Sequence, residues 1–138
     1  MLSKKVDGCI EVASLLARLS DSEVVEKSHL VVAVLGAPSV IRLFFDAGID
    51  HGDVYSRALH HLVNGRISFT PSLKRVLPLS EQCKRVISTA VYRAQIDGYR
   101  DIEPVDILDQ LLRNCSVELT GCESKRLRTE IQRRSVIY

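Results

Sequence analysis

Apolar residues between Val6 and Leu19 recur as Val6, Ile10, Ala13, Leu16 and Ala17, the three-and-four spacing of one helical face, and predict a first helix. Glu26 then precedes the apolar run His29-Leu30-Val31-Val32-Ala33-Val34-Leu35, which Gly36 and Pro38 close. That pattern predicts a short buried helix with its own stop signal. Ser39 is placed to cap a third helix through Ala47, ended by Gly48. Asp50 is placed to cap a fourth, His51 to Leu62, with Val54, Ala58, Leu59 and Leu62 on its apolar face. Four short helices thus fill the first 63 residues. Residues 64–79 mix Asn64-Gly65, Thr70-Pro71 and Pro78 with few apolar positions and read as a connector, with room for one helical turn around Leu73 to Leu77.

The same pattern then starts again. Sliding the chain against itself by 77 residues pairs Ile10 with Ile87, Ala13 with Ala90, Ala17 with Ala94, Val25 with Ile102, Glu26 with Glu103, Leu30 with Ile107, Val34 with Leu111 and Leu35 with Leu112, without a gap. Each copy carries a long amphipathic helix, a polar turn, an extended apolar residue, a Glu at the N-cap position and a buried helix. Pro104 supports the second start, because proline suits the first helical turn. A unit unable to bury its apolar face alone can bury it against a copy of itself. The second copy decays after Leu112: 114–123 is polar, and only Leu127 and Ile131 resume a helical face.

Length changes the picture first. The chain has 138 residues, 46% apolar, 26% charged and 5% aromatic. That is one domain, large enough for a core without staples and too apolar for disorder. No apolar run approaches the roughly 20 residues that cross a bilayer. The N-terminal lysines Lys4 and Lys5 lead into Asp7 and Gly8 instead of an apolar signal core, so a cytoplasmic location is expected. Cys9, Cys83, Cys115 and Cys122 are expected to be free thiols. The net charge of +2 is uneven, because residues 123–138 sum to +3 and the remainder to −1.

Candidate chemistry has plainer explanations at each position. His29, at the head of an apolar helix, reads as a structural histidine. His60 and His61 are adjacent, so only one of them can join His51 in a metal site, and solvated helix faces are the simpler account. Cys115 and Cys122 lack zinc spacing and lack a placed base. Asp109 and Arg113 lie at i, i+4 and read as a solvated ion pair. The basic tail around Lys125-Arg126-Leu127-Arg128 can touch phosphates, but its interleaved Glu123 and Glu130 fit an amphipathic helix with Leu127 and Ile131 turned to the body. Such a helix can also dock an acidic partner surface.

The duplicated unit, with Ser28-His29-Leu30-Val31-Val32-Ala33-Val34-Leu35 followed by Ala37-Pro38-Ser39, resembles the N-terminal domain of the Clp ATPases, in particular the ClpA type. In that family the helix reads Glu-His-Leu-Leu-Leu-Ala-Leu-Leu before a Pro-Ser type of turn. Lys84 to Gly98, then Val105-Asp106-Ile107-Leu108, is similar to the ClpA-type second repeat, and the resemblance covers residues 6–112. Thr70-Pro71-Ser72 imitates the family's entry to that repeat, but a start at Ser80 gives the better distance to Ile107.

The resemblance implies an all-α, eight-helix fold in a single domain over residues 1–138. It has repeat one at about 1–63, a connector at about 64–79, and repeat two at about 80–138 with a degenerate end. It also implies a non-catalytic docking module that binds substrate proteins or an adaptor such as ClpS for a Clp-type unfoldase or protease, with no cofactor or metal. The alternative is a stand-alone accessory or scaffold protein of another assembly. The expected partners are a Clp adaptor, an unfolded or tagged substrate, or Clp ring or protease subunits; nucleic acid and membrane are not expected. No Gly-x-x-x-x-Gly-Lys-Ser/Thr loop occurs in the chain, so ATP hydrolysis by that route is excluded. The family's adaptor-docking edge maps onto Glu23, Ser28 and Ser80. Some members bind phosphoarginine through a Glu that Ser28 and Val105 replace here, so that activity is not expected.

Overall fold

Ser3 and Ser80 start the two halves in the same way. Each has extended backbone, and each Oγ accepts a hydrogen bond at 3.2 Å from the backbone N–H three residues on, at Val6 and at Cys83. These caps satisfy one of the orphan amides that every helix start leaves. The computed structural model of the chain describes residues 2–63, 77–98, 100–114 and 116–136. Among them are seven helices: α1 (Lys4–Leu19), α2 (Lys27–Leu35), α3 (Pro38–Asp46), α4 (His51–Val63), α5 (Glu81–Ile96), α6 (Pro104–Arg113) and α7 (Gly121–Val136). The Ser80 register is therefore the one adopted. Asn64-Gly65, the Thr70-Pro71 entry and most of the turn proposed for Leu73 to Leu77 lie outside the described residues, as does Cys115.

Eight helices were expected, and the described residues show one fewer. The counterpart of α3 would fall at 115–123, where Ser116 to Thr120 is irregular. Pro38 starts α3, but nothing equivalent precedes that stretch. The third helix also starts earlier than the Ser39 cap implied: Ala37 is the N-cap and Pro38 is in the first turn. Proline's fixed φ suits that place and its missing N–H is lost to no partner there. Ser39 Oγ is buried without a hydrogen bond.

α2 is the central element, with every side chain from His29 to Leu35 buried, covered by α1, α4 and α6. Its apolar run is continuous because it has no solvent face. α6 packs against α2, α3, α5 and α7, and buries Ile107, Leu108, Leu111 and Leu112. α1 lies on α2 as α5 lies on α6. The turns after α1 and α5 also match: Asp21 has φ 59° and Gly98, at the same place in the second copy, φ 133°. Positive φ costs Asp little beside other side chains and glycine nothing.

The halves are tied by two reciprocal parallel bridges, Leu2 with Ile102 and Leu79 with Val25. Each bridge joins the start of one repeat to the extended residue of the other. Ser3 N–H donates to Ile102 O at 3.2 Å and Ser80 N–H to Val25 O at 2.9 Å. The contact has the self-complementarity of a two-fold dimer interface within one chain. No single helix among the described residues is long and apolar enough to cross a membrane.

Candidate functional site

The expected docking residues sit along one of these seams. Val25 N–H donates to Pro78 O at 2.8 Å, which fixes the 23–28 segment beside Ser80. Glu23 and Ser28 are exposed, and neither side chain makes a hydrogen bond or ion pair among the described residues. Ser80 is half-buried and its hydroxyl is engaged in the cap of α5. The structure thus brings the backbone of Ser80 to Val25, with Glu23 and Ser28 nearby in the chain. It shows no contact among the three side chains. Lys27 Nζ, on the same edge, lies 3.2 Å from Ser116 Oγ.

His29 is bound within the fold. It is buried, its Nδ1 accepts the N–H of Glu26 at 2.9 Å, and its Nε2 lies 2.8 Å from Ser20 Oγ. Ser20 Oγ donates to Leu16 O at 2.7 Å, so the arrangement suits a neutral ring protonated on Nε2. Burial lowers the imidazole pKa, with Glu26 acting weakly the other way. Burial likewise pushes the Cys9 and Cys83 thiols up, which keeps both protonated and unreactive. Cys9, Cys83 and the exposed Cys122 are free. His51 packs edge-on to Phe44 at 5.3 Å and stacks on Tyr55 at 5.7 Å, while His61 pairs with Glu118 at 2.7 Å. These histidines face different partners.

The Clp repeat N-terminal domain model matches residues 1–121. The chain belongs to that family. Solved structures have a similar fold, two of them over nearly the whole chain. One, from a study of a malarial protein secretion system, has a TM-score of 0.79 at 13% identity and covers 97% of this chain and 94% of its own. The other, the Hsp104 N-terminal domain from Candida albicans, has a TM-score of 0.74 at 17% identity, covering 94% of this chain and 87% of its own. No curated protein matches the sequence. Clp repeat domains are non-catalytic modules that dock other proteins to Clp-type chaperones, so the partners of this one are proteins.

A second surface of this Clp repeat domain escaped sequence reasoning. Between α5, α6 and α7 runs a groove of about 480 Å³. Its walls are helical stripes: Thr89, Tyr92, Arg93 and Ile96 from α5, Asp106, Asp109, Gln110 and Arg113 from α6, and Arg128, Ile131 and Gln132 from α7. Two of its carboxylates are already engaged. Arg100 holds Asp106 through two bonds of 2.7 Å, and Arg113 reaches Asp109 at 3.2 Å. The repeat offset gives no signal for it, because after Leu112 the 77-residue register fails: it would set Gly121, the first residue of α7, on Phe44 inside α3.

Proposed function

We propose that the chain recruits proteins to a Clp-type ATP-dependent unfoldase or protease, and that the seam carrying Glu23, Ser28 and Ser80 is where an adaptor or client docks. The observation that carries this reading is the Val25–Ser80 join. Glu23 and Ser28 stand exposed and unengaged beside it, held by a hydrogen-bonded junction of both repeats. A partner landing there touches the two halves at once and meets a pre-organised edge, which lowers the ordering cost of binding. The domain works as a non-catalytic recruiter and needs no cofactor. A cytoplasmic setting, where such unfoldases act, completes the reading.

Affinity capture on the immobilised domain, with a Glu23→Lys, Ser28→Lys variant as control, tests it. Wild type should retain an unfoldase, protease subunit, adaptor or unfolded client that the variant loses while its helical circular dichroism is unchanged. Equal recovery by both sinks the seam. Recovery of a different assembly favours the second reading, an accessory protein of another complex, for which the replacement of family Glu residues by Ser28 and Val105 speaks.

A further inference from the structure

The groove of the second repeat holds unspent polar capacity. Gln110, on its floor, has a relative exposure of 5%, and its side-chain amide makes no hydrogen bond among the described residues, its polar atoms being left to the solvent of the groove. A primary amide carries two donors and an acceptor, and here they are open to whatever enters the groove. Arg93 and Arg128 face the groove from helices on either side of it, and neither has a carboxylate partner among the described residues. Tyr92 and Ile96 stand at its edge, 63% and 65% exposed. Large apolar side chains left in water beside unpaired guanidinium groups mark a surface made to be covered.

We propose that this groove binds an acidic, apolar-bearing peptide segment of a partner protein. A Glu or Asp of the segment sits between Arg93 and Arg128, whose planar forks match a carboxylate. The Gln110 amide takes up the segment's backbone N–H and C=O. A Leu or Phe of the segment covers Tyr92 and Ile96. Asp97, Asp106 and Asp109 line the same groove, so a continuous phosphate chain meets repulsion that a segment with spaced carboxylates avoids. The proposal rests on the domain being a protein-docking module and concerns a surface separate from the seam.

Fluorescence anisotropy with a short labelled peptide of alternating Glu and Leu tests it, against a Lys-Leu counterpart and single-stranded oligothymidylate. The acidic peptide should bind the whole chain, more weakly as salt rises, at least about tenfold tighter than its Lys counterpart. Arg93→Glu with Arg128→Glu, both exposed and so harmless to the core, should weaken it by about tenfold or more. Gln110→Met, similar in shape, should weaken it about threefold. Amide shift changes on titration should cluster on α5, α6 and α7. No binding, equal binding of the Lys peptide, an unaffected double variant, or shifts confined to residues 23–28 would each overturn the proposal. So would displacement of the peptide by oligothymidylate at lower concentration. Loss of the groove leaves the seam result standing, and the reverse holds too.

Discussion

The two repeats share a plan and differ in one crevice. In repeat two, Arg128, Ile131 and Gln132 of α7 face α5 and α6 across about 480 Å³ of open space. In repeat one α4 packs directly on α2, and its His51, Val54 and Tyr55 lie against the body. Val54 is buried, Tyr55 lies against Gly36 so that a Cβ there would meet its ring at 3.7 Å, and His51 stacks on Tyr55 and donates its surface to Phe44. The floor differs as well: Val32 and Ala33, both buried, stand where repeat two has Asp109 and Gln110. Even the helix caps diverge. His29 and Asp106 both accept the N–H of their N-cap Glu, at 2.9 and 2.7 Å, but the histidine is buried and neutral while the carboxylate turns its second oxygen to Arg100 in solvent. The central helix of repeat one is buried from His29 to Leu35, whereas that of repeat two buries one side and turns Asp106, Asp109 and Arg113 to the crevice.

The sharpest way to break this comparison is to exchange a floor residue. Val32→Asp places a carboxylate where nothing can pair it, and the chain should lose more than about 3 kcal/mol, enough to unfold in part at 37 °C by urea titration. Asp109→Val in the open crevice should cost less than about 1 kcal/mol by the same measurement, since its ion pair is partly solvated. Equal costs would mean that the crevices do not differ. His29→Ala should cost about 2 kcal/mol near pH 7.5, because the Glu26 amide and Ser20 lose their partner.

The same histidine sets a pH dependence. Its pKa is lowered in the fold, so the unfolded chain binds the proton more readily. The stability it contributes is therefore complete above about pH 6.5 and drains as pH falls from there through the folded value. Thermal melts should show Tm declining from pH 7 to pH 5 in wild type, and a shallower decline in His29→Ala. Smaller still are the two equivalent caps. Ser3→Ala and Ser80→Ala should each cost about 1 kcal/mol, and a large inequality would show that the seams are not equivalent. Arg100→Ala, removing a half-exposed pair, should cost under about 1 kcal/mol.

Much of this was legible in the sequence because periodicity and repetition report burial directly. The offset that aligned Leu30 with Ile107 also aligned the two caps, the two bridges and the two turns. The family resemblance carried by Ser28 to Leu35 was correct for the same reason, since a continuous apolar helix needs that many neighbours. The start of α3 was misread because Ser39 is a good cap by type, and Pro38 outranked it by geometry. The missing counterpart of α3 showed as polarity after Leu112, but polarity alone cannot say whether a helix is absent or merely exposed. The groove was invisible for a deeper reason. It depends on how α7 returns across α5 and α6, and Gln110 looks like any amphipathic-helix residue until its surroundings are known.

The reciprocal bridges have a consequence for how the protein is made. Ser3 hydrogen-bonds Glu103, a hundred residues away, and Leu2 has no bridge partner until Ile102 exists. A nascent chain leaving the ribosome therefore carries a first repeat with an unpaired edge until the stretch from Leu79 to Ile102 has emerged. Its last contacts form late and over long loops, which slows folding relative to a bundle of neighbours. During that interval Leu2 and Val25 of one nascent chain are open to the matching residues of another, so crowded synthesis is the stage at which this domain is most exposed to swapping partners.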